Sequence, residues 1–160
     1  MDKLWAPWRI NYIKKVKKQK GCLFCRSAKS KKDKHRVFKT KFSVCILNIF
    51  PYNNGHLMVS PKRHINDLAQ LKKEELLDLM AALNKAKALL DRALKPQGYN
   101  IGLNMGGISG AGISGHLHIH IVPRWKGDTN FMPVLYQTKV ISQSLGELLK
   151  LLKHAGTSAD

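Results

Sequence analysis

Apolar and polar positions recur along this chain with two periods. Residues 36–40 and 43–48 read as a short strand pair, and residues 56–60 as another strand ended by Pro61. Between them, Phe50-Pro51-Tyr52-Asn53-Asn54-Gly55 has the composition of a turn. Residues 67–94 contain the main helix, with Leu76, Met80, Leu83 and Leu90 at helical spacing on the side expected to be core. Glu74 and Glu75 suit its first turns, and Pro96 and Gly98 stop it. Residues 99–103 predict a further strand, and a second helix is expected over 142–153. Gly21-Cys22-Leu23-Phe24-Cys25 reads as a tight turn. Few helices and sequential strands predict an antiparallel α+β domain.

Residues 116–122 carry the most specific pattern: His-Leu-His-Ile-His-Ile-Val, closed by Pro123. Alternate side chains of a strand point to opposite faces, so His116, His118 and His120 share one face while Leu117, Ile119 and Ile121 pack on a core. The preceding loop, from Asn104 to Gly115, holds glycines at 106, 107, 110, 112 and 115. Such a loop lets backbone N–H groups close around an anion, and it delivers that anion beside the imidazoles. A neutral imidazole can attack phosphorus and carry the group as a phosphoramidate, with neighbouring donors stabilising the charge on the oxygens. The alternative is a histidine-rich strand without chemistry, or a metal site.

Composition narrows the class. The 160 residues, 44% of them hydrophobic, fit one cored domain, and no apolar run reaches the ~20 residues of a membrane helix. The first residues lack the apolar stretch of a signal peptide, which makes the cytoplasm the expected location. Lys and Arg outnumber Asp and Glu by 28 to 10, a net charge of +18 that attracts polyanions: nucleotides, nucleic acid or an anionic surface. Trp5, Trp8 and Tyr12 make the opening segment too aromatic for a free tail, so it is expected to dock on the body or on another subunit. Cys22, Cys25 and Cys45 are too few for a disulfide framework. Cys45 reads as a core residue, whereas Cys22-x-x-Cys25 invites a metal, with two metal-free thiols as the alternative. His56 reads as a locally bonded or solvent-facing residue, and His154 as a cation at a helix end; neither is assigned to catalysis.

The triad segment resembles the signature of the histidine triad (HIT) family of nucleotide hydrolases and transferases. Leu47-Asn48, Pro51, Gly55-His56 and Ser60-Pro61-Lys62-Arg63-His64 resemble further segments of that family. Leu4-Trp5-Ala6-Pro7-Trp8-Arg9 and the stretch from Arg124 to Pro133 resemble one branch, the bacterial diadenosine tetraphosphate phosphorylases or ATP adenylyltransferases. The resemblance implies a HIT-like antiparallel sheet with one long helix and a C-terminal helix, the sheet extended by dimerisation. It implies one HIT domain over 1–160: a basic segment with a zinc knuckle over 1–35, the core over 36–135, and a C-terminal helix and tail over 136–160.

It also implies roles. His118 matches the nucleophile, His120 a phosphate donor, and His116 the first triad member. Asn48 matches a ribose contact, and Asn104, Gly112 and Ser114 fall in the segment that wraps the phosphates. Cys22, Cys25, His64 and His116 match a structural Zn²⁺ site, with His35 as a rival third ligand. The expected reaction is phosphorolysis of diadenosine tetraphosphate to ATP and ADP through an adenylylated His118, with inorganic phosphate as acceptor. A hydrolase of dinucleoside polyphosphates or nucleoside phosphoramidates, releasing AMP, is the alternative enzyme. A nucleotide- or nucleic-acid-binding protein without turnover is the alternative of another class. A homodimer or larger homo-oligomer is implied, and no membrane partner.

Overall fold

The computed structural model describes residues 21–109, 112–128 and 140–157. Trp5, Trp8, Tyr12 and the stretch 129–139 lie outside them, so the expectations placed there are not addressed. Within the described residues, helix α1 (Leu23–Lys29) precedes strands β1 (Arg36–Lys39), β2 (Ser43–Leu47) and β3 (Leu57–Pro61). The long helix α2 (Lys73–Leu94) leads to β4 (Gly98–Leu103), β5 (Ile119–Arg124) and the C-terminal helix α3 (Leu145–Thr157). The strands form one sheet in the order β1-β2-β3-β5-β4, every neighbouring pair antiparallel. This is the expected α+β architecture.

The sheet is covered on both faces, which explains why β2 and β3 are buried at every position. On one face Cys45, Leu47, Leu57, Val59, Ile119 and Ile121 meet α2 and α3. On the other, Val44, Ile46 and Met58 meet Phe24 of α1. Register carries this alternation into the histidine strand: Met58 pairs with His120, while Leu57 and Val59 pair with Ile121 and Ile119. His120 therefore emerges on the α1 face, and its apolar neighbours enter the helix-side core.

Several boundaries differ from the sequence reading. Gly21–Cys25 is not a plain turn: Cys22 is the N-cap of α1, and Cys25 lies in its first turn. The long helix falls within 67–94 and carries Glu74 and Glu75 in its first turn as expected, but Asp67 is not part of it: its side chain caps a 3-10 turn at Leu68–Gln70. Its buried side is Leu79, Ala82, Ala86, Leu89 and Leu90, while Leu76 and Met80 remain exposed. Leucines occupy more than one side of this helix, and the sheet selects the side with the small alanines because the helix must lie close to it. The C-terminal helix begins three residues later than expected because Ser144 and Glu147 form a reciprocal cap. Regular pairing in the histidine segment starts only at Ile119. It runs on through Pro123, where β5 has outrun its register with β3 and has a strand neighbour on one side only.

No helix among the described residues is long and apolar enough to cross a membrane.

Candidate active site and metal centre

Two groups of side chains converge where β5 begins. The first is Cys22, Cys25, His64 and His116, whose ligand atoms all lie within 4.8 Å of one another. Cys22 Sγ is 3.1 Å from His116 Nδ1, Cys25 Sγ is 3.3 Å from His64 Nδ1, and the two Nδ1 atoms are 3.2 Å apart. Zinc bonds of ~2.3 Å to sulfur and ~2.0–2.1 Å to nitrogen give tetrahedral edges of about 3.3–3.8 Å, close to these separations. The proton positions agree as well. His116 Nε2 lies 2.9 Å from the Pro61 carbonyl, which can only accept, so Nε2 carries the hydrogen and Nδ1 keeps its lone pair for a metal. Burial, and then the neighbouring Cys22, pushes the Cys25 thiol up, a penalty that a bound cation would reverse. The residues therefore fit a metal ion, and four donors leave no position open for water. His35 is not in this group: its backbone N–H is held by Asp33, and it lines a cavity that none of the four candidate ligands lines.

The second group is the remainder of the histidine row. His118 is 2% exposed, and its Nδ1 donates to the His116 carbonyl at 2.7 Å. That bond leaves Nε2 bare. Burial holds the ring below its ordinary pKa, so near neutral pH it is uncharged and has a free lone pair. The ring of His120 stands edge-on to it, centroids 4.8 Å apart.

His56 is locally bonded, one of the two expectations for it, but its contact with the histidine row was not foreseen from the sequence. It is 1% exposed and lies at the end of the turn that opens β3. The Tyr52 N–H donates to His56 Nδ1 at 3.1 Å, and the Asn48 amide reaches the same nitrogen at 3.3 Å. His56 Nδ1 is thus an acceptor, its Nε2 carries the hydrogen, and that hydrogen is donated to His120 Nδ1 at 2.9 Å. His120 is left with its own N–H on Nε2. Burial, followed by the adjacent imidazoles, lowers His56 to about 3 and His120 to about 4. The signal for His56 was its phase: it shares the face of Met58, hence of His120, but only the β3–β5 register makes this visible.

Gly55 makes that turn. Its φ is +78°, and a Cβ there would come within 2.7 Å of Leu94 and 2.9 Å of Pro123. Asn53 ties the turn to β5 by donating to the Pro123 carbonyl at 3.1 Å and to Asp128 at 2.7 Å.

The other predicted positions are less engaged. Asn48 is buried, and its oxygen accepts from the Phe50 N–H at 2.9 Å, which turns its amide nitrogen toward His56. Asn104 follows β4 and is half-buried; Gly112 is half-buried and Ser114 exposed just before the triad. Beside Asn48 a cavity of about 300 Å³ opens under α1. Leu23, Ile46, Leu47 and Ile49 give it apolar walls, with Arg26, Lys32 and His35 also lining it.

The model of the HIT domain matches residues 29–127, more than half of the chain. The chain belongs to the HIT domain family. One HIT-family relative, named AP-4-A phosphorylase, from Mycobacterium tuberculosis, is 35% identical over 95% of this chain and 83% of its own length. Another, the asymmetrical bis(5'-nucleosyl)-tetraphosphatase of Schizosaccharomyces pombe, is 31% identical over 62% of this chain and 54% of its own. Among solved HIT structures, a zinc-bound histidine triad family protein from Mycobacterium smegmatis superposes with a TM-score of 0.69 at 26% identity, covering 88% of this chain and 98% of that one.

Proposed function

We propose that this HIT protein is a nucleotidyltransferase that cleaves diadenosine tetraphosphate by phosphorolysis. The observation that carries the reading is the pairing of a bare His118 Nε2 with the Nε2–H of His120 in an adjoining ring. His118 Nε2 attacks the α-phosphorus, the bond from that phosphorus to the bridging oxygen breaks, and ATP leaves. His120 donates to a phosphate oxygen as charge develops, and the Tyr52–His56 chain holds it in that tautomer. An oxygen of inorganic phosphate then attacks the adenylyl group, the P–N bond breaks, and ADP departs with His118 restored. The cavity under α1, walled in part by Leu23, Ile46, Leu47 and Ile49, suits the adenine, and Asn48 is read as the ribose contact. Asn104, Gly112 and Ser114 lie in the segment expected to line the phosphates. The likeness to the Mycobacterium tuberculosis phosphorylase supports this substrate, and the charge of +18 favours two anionic reactants.

Cys22, Cys25, His64 and His116 are read as ligands of one Zn²⁺, supported by the donor geometry and by the zinc-bound Mycobacterium smegmatis relative. The ion would supply a structural clamp between α1 and the start of β5. Free thiols as ligands accord with a cytoplasmic location. A homodimer that extends the sheet is supported by β4, an edge strand with Ile101 exposed, and by the uncovered Leu76 and Met80.

The test is to incubate the protein with diadenosine tetraphosphate, with and without phosphate, and identify the nucleotides. ATP and ADP that appear only with phosphate are expected. AMP formed at one rate in both samples means that water is the acceptor and the protein is a hydrolase.

A further inference from the structure

We propose that Phe24 is a positioning residue that carries the geometry of the metal group to the His118 ring. The proposal rests on the reading of His118 as the nucleophile. Phe24 stands between Cys22 and Cys25 in the first turn of α1 and is completely buried. Its ring centre is 4.9 Å from that of His118, tilted by 33°, and 5.3 Å from that of His116, tilted by 54°. A single residue of the knuckle thus lies on both the metal-side histidine and the attacking one. Val44, Ile46 and Met58 pack behind it, so the ring has little room to yield.

His118 needs this contact. Among the described residues its ring makes one hydrogen bond, from Nδ1 to the His116 carbonyl, which selects the tautomer but leaves the imidazole free to pivot about that bond. The pivot moves Nε2, the attacking atom. The rings of Phe24 and His120 restrict it. His120 is held through His56 and Tyr52, within the sheet and its turn. Phe24 is held by the backbone between two metal-ligand candidates. With a metal bound to Cys22, Cys25 and His116, the constraints would close a circuit: from the cysteines to His116, from the His116 carbonyl to His118, and from His118 through Phe24 back to the cysteines. Loading the site would thus do more than hold α1 down, because Phe24 and the His116 carbonyl together set the plane from which the lone pair of His118 points.

The test uses the zinc-loaded full chain and Phe24→Leu, which keeps apolar bulk and removes the flat ring. Zinc content by elemental analysis and AMP affinity by calorimetry are expected within about twofold of the original, while single-turnover adenylylation of His118 slows by roughly tenfold to a hundredfold. Nitrogen NMR of the imidazoles gives a readout independent of turnover. Phe24→Leu with zinc bound, and the unaltered chain after chelation, should both broaden the His118 ring signals while those of His56 and His120 stay sharp. Unchanged His118 signals in either sample overturn the proposal, as does an unchanged adenylylation rate or a rate loss matched by lost affinity. Should Phe24→Leu fail to fold, Phe24→Met, which also keeps apolar bulk without a flat ring, takes its place. Should the unaltered chain form no adenylylated His118, the assigned reaction fails, and the ring signals still judge the positioning role.

Discussion

Replacing Gly55 by alanine tests the turn that delivers His56. Two costs add. The residue sits at φ +78°, where an L side chain loses about 1–2 kcal/mol. The new Cβ also meets Leu94 Cδ1 at 2.7 Å, Pro123 Cγ at 2.9 Å and Leu90 Cδ2 at 3.1 Å, all inside carbon contact distance. The leucines can rotate partly away, but the Pro123 ring is fixed in β5. Overpacking of this kind costs about 1–3 kcal/mol, so the sum is about 2–5 kcal/mol, a fall in melting temperature of roughly 5–15 °C for a chain of this size. Urea unfolding followed by circular dichroism measures it. Gly98→Ala is the control, since no atom lies within 4 Å of its Cβ position and its φ is ordinary; it should be neutral or slightly stabilising. A loss below about 1 kcal/mol for Gly55→Ala, or equal losses for the two variants, refutes the account of the turn.

Further predictions concern the site itself. His118→Asn should abolish turnover while AMP affinity measured by calorimetry is kept; a variant that still turns over removes His118 from the chemistry. Elemental analysis of protein prepared without chelators should find one zinc per chain, and His64→Ala should release it whereas His35→Ala should not. In chelator, stability should be flat between about pH 6.5 and about pH 8 and fall toward pH 4. His56 and His120 have folded-state values of about 3 and about 4, so the unfolded chain binds their protons first and acid favours it. The slope is at most about 1.4 kcal/mol per pH unit for each proton, and denaturant midpoints at several pH values check it; a midpoint that rises on acidification would exclude a neutral, buried pair. If β4 forms the dimer edge, Ile101→Lys should produce monomers in sedimentation velocity without changing the circular dichroism spectrum.

Much of the site could be read along the chain because its parts are local patterns. A strand of alternating histidines, a glycine loop ahead of it and a C-x-x-C each declare themselves within a few residues. Long-range geometry was the part left open. Whether His35 or His64 completed the metal group depended on where the chain returned after β3, and His64 arrives within 3.2 Å of His116 while His35 turns to the cavity. The buried side of α2 was read in part: Leu83 and Leu90 pack on the core while Leu76 and Met80 do not, because its leucines serve more than one face and the choice belongs to the sheet on which it packs.

From its residues alone the chain determines that three imidazoles share one face of an extended segment, since side-chain alternation is a property of the backbone. It cannot set their protons. Those are decided by three backbone groups: the Pro61 carbonyl beside His116 and the Tyr52 N–H that reaches His120 through His56, both brought in from elsewhere, and the His116 carbonyl two residues before His118. On the proposed mechanism one ring thereby serves as a ligand, one as the nucleophile and one as a donor. Identical side chains acquire different chemistry because each nitrogen takes the role opposite to its partner's, and for His116 and His120 only the tertiary structure supplies that partner.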